Sequence, residues 1–198
     1  MRLIRFAFVL AAALICGTVP ALAIDANPGT SFLPIRSEAP PPAGAQALCR
    51  KLDWACARGR SGRAGPEVLA LAAAVSRSAN AAIPSVSDMA QYGVPERWVL
   101  PTARGGDCED YALFKKRALI QAGIAPNRLL LATVLDRQNQ GHAVLVLRTD
   151  QGDFVLDNVT DRVLPLHRTG YLFVRMQNPA RPSGWVSVFA QSRAAAGS

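Results

Sequence analysis

Cys108 sits in the run Gly105-Gly106-Asp107-Cys108-Glu109-Asp110-Tyr111-Ala112. Two glycines precede it and a helix-forming stretch follows. A thiol at a helix start meets aligned backbone N–H groups and the positive end of the helix dipole. Both favour the thiolate, which is the form that attacks carbonyl carbon. The glycines let backbone approach a substrate closely and offer N–H groups to an oxyanion. A nucleophilic thiol also needs a base, and the base needs an orienting group. The chain has two histidines. His142 opens the apolar run Ala143-Val144-Leu145-Val146-Leu147, whereas His167 lies in the loop-like Pro165-Leu166-His167-Arg168. Asp157 ends the next apolar run, Val155-Leu156-Asp157. Cys108, His142 and Asp157 therefore form the candidate catalytic set for acyl transfer. The structural alternative is a cysteine buried at a helix cap, and the polar residues on both sides of Cys108 weigh against it.

Asp107, Glu109 and Asp110 raise a separate question. Like charges beside a thiol raise its pKa and oppose its activation. A bound cation would remove the conflict, and carboxylate oxygens suit calcium. The alternative is that Asp107 caps the helix while Glu109 and Asp110 complement its positive end.

These groups need elements to hold them. Apolar spacing over Val68, Leu69, Leu71, Ala72 and Val75 predicts a helix from Glu67 to Ala82, with Pro66 suited to its first position. A second helix is expected over Asp107–Ala122, stopped by Gly123, with Tyr111, Ala112, Phe114, Ala118 and Leu119 on its buried face. Five strand candidates follow, at 128–135, 142–147, 154–156, 171–176 and 185–189. Helices first and then mainly antiparallel strands make an α+β domain. Placing His142 directly opposite Asp157 requires a turn centred between Thr149 and Asp150. The chemistry of Gln151-Gly152 points to a later centre, which a bulge would reconcile.

Composition sets outer bounds. Half of the 198 residues are hydrophobic and the formal charge is +8. Arg2, Arg5, the apolar run Phe6–Cys16 and Ala21-Leu22-Ala23 read as a secretory signal peptide over residues 1–23. The apolar run is too short for a membrane span. Export puts the chain in the periplasm and argues against a nucleic-acid partner, and the arginines are scattered. Residues 24–65, which include Pro40-Pro41-Pro42, read as an extended, loosely held arm and loop. Residues 66–190 form the domain, and 191–198 a flexible tail. Cleavage would leave Cys49, Cys56 and Cys108, an odd number. A local Cys49–Cys56 disulfide is expected in an oxidising compartment, with two buried thiols as the alternative.

The Gly105–Ala112 segment, the Gly141-His142-Ala143-Val144-Leu145 strand and Val155-Leu156-Asp157-Asn158 resemble the bacterial transglutaminase-like cysteine proteinases. Tyr92-Gly93, Trp98 and Pro101 fit as well, and the likeness spans about Val68 to Val188. It implies a papain/transglutaminase-like fold with N-terminal helices on an antiparallel sheet. It implies a Cys108–His142–Asp157 triad. It also implies calcium held by Asp107 and Glu109, with Asp110 as a further ligand. The substrate it implies is a cell-surface adhesin whose release frees cells from a biofilm. The regulator it implies is an inner-membrane receptor for cyclic di-GMP. Transamidation by the same triad, and a non-catalytic binding module on the same fold, are the other readings.

Overall fold

The computed structural model describes residues 31–59, 62, 65 and 67–191. The expected signal peptide, Pro66 and nearly all of the expected tail lie outside them. Among the described residues are four α-helices: α1 (Leu48–Lys51), α2 (Glu67–Ala82), α3 (Asp88–Tyr92) and α4 (Cys108–Gln121). Seven strands follow the same numbering: β1 (Ser37–Ala39), β2 (Leu129–Leu135), β3 (Gly141–Thr149), β4 (Gly152–Leu156), β5 (Leu164–Pro165), β6 (Leu172–Asn178) and β7 (Arg181–Gln191). They build one antiparallel sheet in the order β1-β7-β6-β2-β3-β4-β5. The fold is α+β, as expected. No described helix is long and apolar enough to cross a membrane.

β2 and β3 are apolar at nearly every position because both of their faces are covered. Leu129, Leu131, Ala143, Leu145 and Leu147 pack with the helices, while Leu130, Val134, Val144 and Val146 join a second cluster on the other face. α4 lies between α2 and the sheet, so it is buried on more than one side. The expected inner face is therefore incomplete. Phe114 is exposed, Leu113 is buried, and Lys115 and Lys116 are both 0 % exposed. Lys116 Nζ donates to Gln177 Oε1 at 2.6 Å, and the same oxygen accepts the Leu131 N–H.

The expectation of a loosely held arm fails for residues 31–59. Leu33 is buried in the second cluster, and its N–H donates to Asp153 Oδ2 at 2.8 Å. Arg148 grips that carboxylate with two further bonds of 2.8 Å. β1 then pairs with β7. Proline-rich backbone is extended, and extended backbone can join a sheet edge wherever a neighbour needs its own groups satisfied. Further on, a Cβ placed on Gly44 would come 2.5 Å from Trp98 Cδ1, so this segment lies directly against the indole.

Cys49 and Cys56 form a disulfide, and Cys108 is the free cysteine among the described residues. The bridge closes a short loop beside Gln177, whose Nε2 donates to Ala55 O and Pro182 O. Replacing both bridging cysteines with alanine should lower the unfolding free energy by about 2 kcal/mol, the scale for so short a loop. Urea denaturation of the two forms would measure it.

Candidate active site

The β3–β4 hairpin places the first pair of groups. Thr149 pairs with Gly152 and Leu145 with Leu156. The turn is therefore centred between Asp150 and Gln151, later than a direct His142–Asp157 pairing would need. No bulge interrupts this ladder. Continued by one step, it would set Asp157 beside Val144, two residues from His142 and on the same face. The two side chains meet as diagonal neighbours, within reach on one face of an antiparallel pair. His142 Nε2 and Asp157 Oδ1 are 2.9 Å apart.

Asp157 is buried, at 4 % exposure. Burial alone would raise its pKa. The bond to His142, the Tyr171 hydroxyl on Oδ2 and the Val159 N–H on Oδ1 outweigh that and hold the carboxyl below its ordinary value. Its main chain is also fixed. Lys115 Nζ donates to Asp157 O at 2.7 Å, and Asn80 Nδ2 to the same oxygen at 3.1 Å. Lys115 lies two helical turns along α4 from Cys108, so one helix carries the thiol and braces the turn that carries the acid. Burial brings the Lys115 pKa down to about 8, against the pull of Asp157 and Asp161.

Cys108 begins α4 and is partly buried. Its sulfur lies 3.2 Å from Glu109 Oε2, and the Ala143 N–H bonds to it. Cys108 and His142 line one cleft of about 350 Å³, together with Pro42, Glu96, Trp98 and Arg175. Trp98 serves core and cleft at once. It packs edge-on against Trp185 with centroids 5.8 Å apart. Burial and then the Glu109 charge push the thiol pKa well up.

Gly105 and Gly106 do not offer their N–H groups to a substrate. They donate to Thr102 O at 3.0 Å and Pro84 O at 3.1 Å. A Cβ on Gly105, whose φ is +116°, would lie 2.0 Å from Pro84 O. The glycines let the loop pass against Pro84. His167 lies in a short 3₁₀ turn, Leu166–Arg168, away from both cavities that His142 lines.

The acidic residues separate by role. Asp107 occupies the N-cap position of α4, yet its side chain makes no cap bond. Its Oδ2 accepts the Asp88 N–H at 2.9 Å. The capping alternative therefore fails for Asp107. Asp110 Oδ1 accepts the Val99 N–H at 3.1 Å, and the residue is outside the closest group of three acids. In its place Asp88 joins Asp107 and Glu109, with one ligand atom from each within 4.8 Å of the others. Asp88 Oδ1, Asp107 Oδ1, Glu109 Oε1 and Asp110 Oδ2 are buried without a hydrogen-bond partner. Carboxylates crowded in this way are costly without a positive charge. An all-carboxylate donor set fits a hard cation. Burial, and then Asp107, raise the Glu109 pKa to about 9 and also raise that of Asp88.

Asp88, Lys115, Asn80 and Tyr171 were not singled out from sequence. Lys115 belongs to the basic run Lys115-Lys116-Arg117, which reads from sequence as a solvated face. Asp88 is separated from Asp107 by a loop, and nothing in its local pattern sets it apart from a helix-start aspartate.

The family pattern described as Bacterial transglutaminase-like cysteine proteinase BTLCP matches residues 35–193. The chain belongs to this family. Among solved structures it is similar to calcium-bound Legionella pneumophila LapG, at 21 % identity over 64 % of this chain and 72 % of that one, with a TM-score of 0.51. Two further structures of that protein match at a TM-score of 0.46. One is 21 % identical and covered over 65 % of its length by 56 % of this chain. The other, EGTA-treated, is 22 % identical and covered over 61 % by 54 % of this chain. This chain thus spans just under two thirds of the first of these. The likeness is one of fold. Comparison with curated proteins returns no match.

The charge on Glu109 has a consequence for stability. Its folded pKa of about 9 lies above the ordinary 4.5. The protonated form is favoured on folding, so its stability contribution is full below about pH 4.5 and is lost as pH rises through 9. With chelator present, the urea midpoint should fall between about pH 5 and pH 9, and the fall should be smaller in Glu109→Gln.

Proposed function

We propose that the chain is a cysteine endopeptidase in which Cys108 is the nucleophile, His142 the base and Asp157 the orienting acid. The observation that carries this reading is the 2.9 Å contact of His142 Nε2 with a buried, ionised Asp157, where His142 also lines one cleft with Cys108. With Nε2 engaged, Nδ1 is the nitrogen left to take the thiol proton. The thiolate then attacks the peptide carbonyl carbon, and the oxygen takes the negative charge. Cys108 is the first residue of α4, so its N–H has no carbonyl one turn back and remains available to that oxygen. The imidazolium returns its proton to the leaving amine, the C–N bond breaks, and an acyl-enzyme remains. His142 next draws a proton from water, which attacks the thioester and restores the thiol.

We further propose that Asp88, Asp107 and Glu109 bind calcium. The cation would supply positive charge beside Cys108. Glu109 would then no longer need to hold a proton or to accept one from the sulfur. The orphaned buried oxygens support this reading, as does the calcium-bound state of the similar LapG structure. The signal-like N-terminus and the disulfide support action in the periplasm. A cell-surface adhesin as substrate and a cyclic di-GMP receptor as regulator are extensions by family resemblance. Comparing surface and shed proteins from cells carrying the native chain or Cys108→Ser would name the substrate.

Cys108→Ala and His142→Ala should each cut peptidase turnover by at least about a thousandfold without unfolding the chain. Asp157→Ala should lose less, because it orients the base and moves no proton itself. Full activity in His142→Ala would sink the assignment.

Calorimetry on the Cys108→Ala form should show calcium binding. Asp88→Ala and Glu109→Ala should each weaken it by at least about tenfold, whereas Asp110→Asn should weaken it far less. No binding heat at millimolar calcium, with activity indifferent to chelator, would count against the metal.

A further inference from the structure

Asp157 presents two oxygens with different duties. Oδ1 receives His142 Nε2 at 2.9 Å and the Val159 N–H at 3.1 Å. Oδ2 receives the hydroxyl of Tyr171. The Tyr171 ring also stands edge-on to the imidazole, with centroids 5.8 Å apart and planes at 78°. One buried side chain therefore touches both members of the pair. It is held firmly in turn. The Tyr171 N–H donates to Thr169 Oγ1 at 3.2 Å, and Arg137 Nε donates to Thr169 O at 3.0 Å. Between them Gly170 adopts φ +76°, where an added Cβ would lie 3.0 Å from Arg137 Nε. Beside the pair is a second cavity of about 450 Å³, lined by His142, Asp157, Val159, Thr169 and Tyr171. Without the hydroxyl, Oδ2 would be a buried anionic oxygen lacking this donor next to that space.

We propose that Tyr171 is a positioning residue of the site: its hydroxyl holds Oδ2 of Asp157, keeps Oδ1 on His142, and sets how much of the carboxylate charge the imidazole feels. The proposal rests on the triad reading above. A hydrogen bond to an anion spreads its charge, so a carboxylate that accepts from Tyr171 attracts the imidazolium less than one that does not. Tyr171 is not itself an acid or base here. Burial, and then the hydrogen bond to Asp157, push its phenol above the ordinary 10. The other charged or titratable groups around the pair are Lys115, Cys108 and Glu109 from α4, Glu96 before it, Asp136 and Arg137 between β2 and β3, Arg175 on β6, and Asp161 and Arg162 after β4.

The test uses the full chain and the imidazole NMR titration of its two histidines, with His142→Ala assigning the signals. Tyr171→Phe keeps the ring and removes the donor. His142 should then titrate about 0.5–1 pH unit higher, the size one hydrogen bond to the charged partner carries. The acid limb of kcat should move the same way, with KM changed by less than about twofold. A merely structural tyrosine would lower stability and leave the titration in place. An unchanged or lowered His142 titration overturns the proposal. Should Tyr171→Phe fail to fold, the native chain with ¹³C-labelled tyrosine serves, assigned by elimination with Tyr92→Phe and Tyr111→Phe. Tyr171 should then titrate well above 10 and come down in Asp157→Asn. An ordinary value in the native chain overturns the proposal. The histidine titration needs no turnover, so it fails or succeeds separately from the peptidase reading, which the Cys108 and His142 variants test.

Discussion

The pairing of Thr149 with Gly152 governs the geometry of the candidate site. It sends His142 and Asp157 to the same face of the sheet. A slip of one residue would send one of them toward α4 and leave a buried carboxylate without its partner. The same register alternates Leu145 and Leu147 toward the helices with Val144 and Val146 toward the second cluster. The energy that holds the register is therefore mostly apolar burial across the hairpin, on the order of 2 kcal/mol for each fully buried leucine or valine. The chemistry uses alignment that packing enforces.

α4 answers a second constraint. Its first residue must reach the rim of the sheet, where the Ala143 N–H meets the sulfur, while its body lies between α2 and the strands. Such a helix has little room for solvated groups, yet it carries Lys115 and Lys116, both 0 % exposed. Each amino group has an oxygen partner, Asp157 O and Gln177 Oε1, and burial brings the Lys116 pKa down to about 7. A buried charge left without such a partner would cost several kcal/mol. The lysines thus tie the helix that Cys108 begins to the turn that carries Asp157 on one side and to β6 on the other. The acids at the start of α4 pull the opposite way, since they crowd negative charge against a thiol. Loop geometry brings Asp88 into that crowd, and four orphaned carboxylate oxygens record the conflict.

The walls of the cleft depend on residues far from the chemistry. Pro42 lines it, Gly44 permits close packing on Trp98, and the Cys49–Cys56 bridge fixes the chain just beyond. Ser31 to Ala39 runs along the sheet through Leu33, the Asp153 bonds and β1.

Local pattern was enough to locate α2, α4 and five of the seven strands. Their apolar periodicities are strong and their stops are marked by Gly123 and Gly152. It was also enough to single out Cys108, His142 and Asp157 as types suited to acyl transfer, and Asp107 and Glu109 as a charge problem beside a thiol. The short β1 and β5 were missed because two or three residues carry no period. Within the expected arm at 24–65, residues 31–39 are held to the sheet, because a proline-rich composition says nothing about whether a neighbouring strand edge is waiting for it. The tertiary structure decided the rest. The diagonal His142–Asp157 contact depends on a turn centre that turn residues only bracket. Asp88 replaces Asp110 beside Asp107 and Glu109 because the loop folds back on α4. Lys115, Asn80 and Tyr171 converge on Asp157 from three elements. Sequence spacing constrains partners within a helix or a hairpin, where backbone geometry sets the distance. Contacts between separate elements are set by how the whole core packs, and no local pattern encodes that.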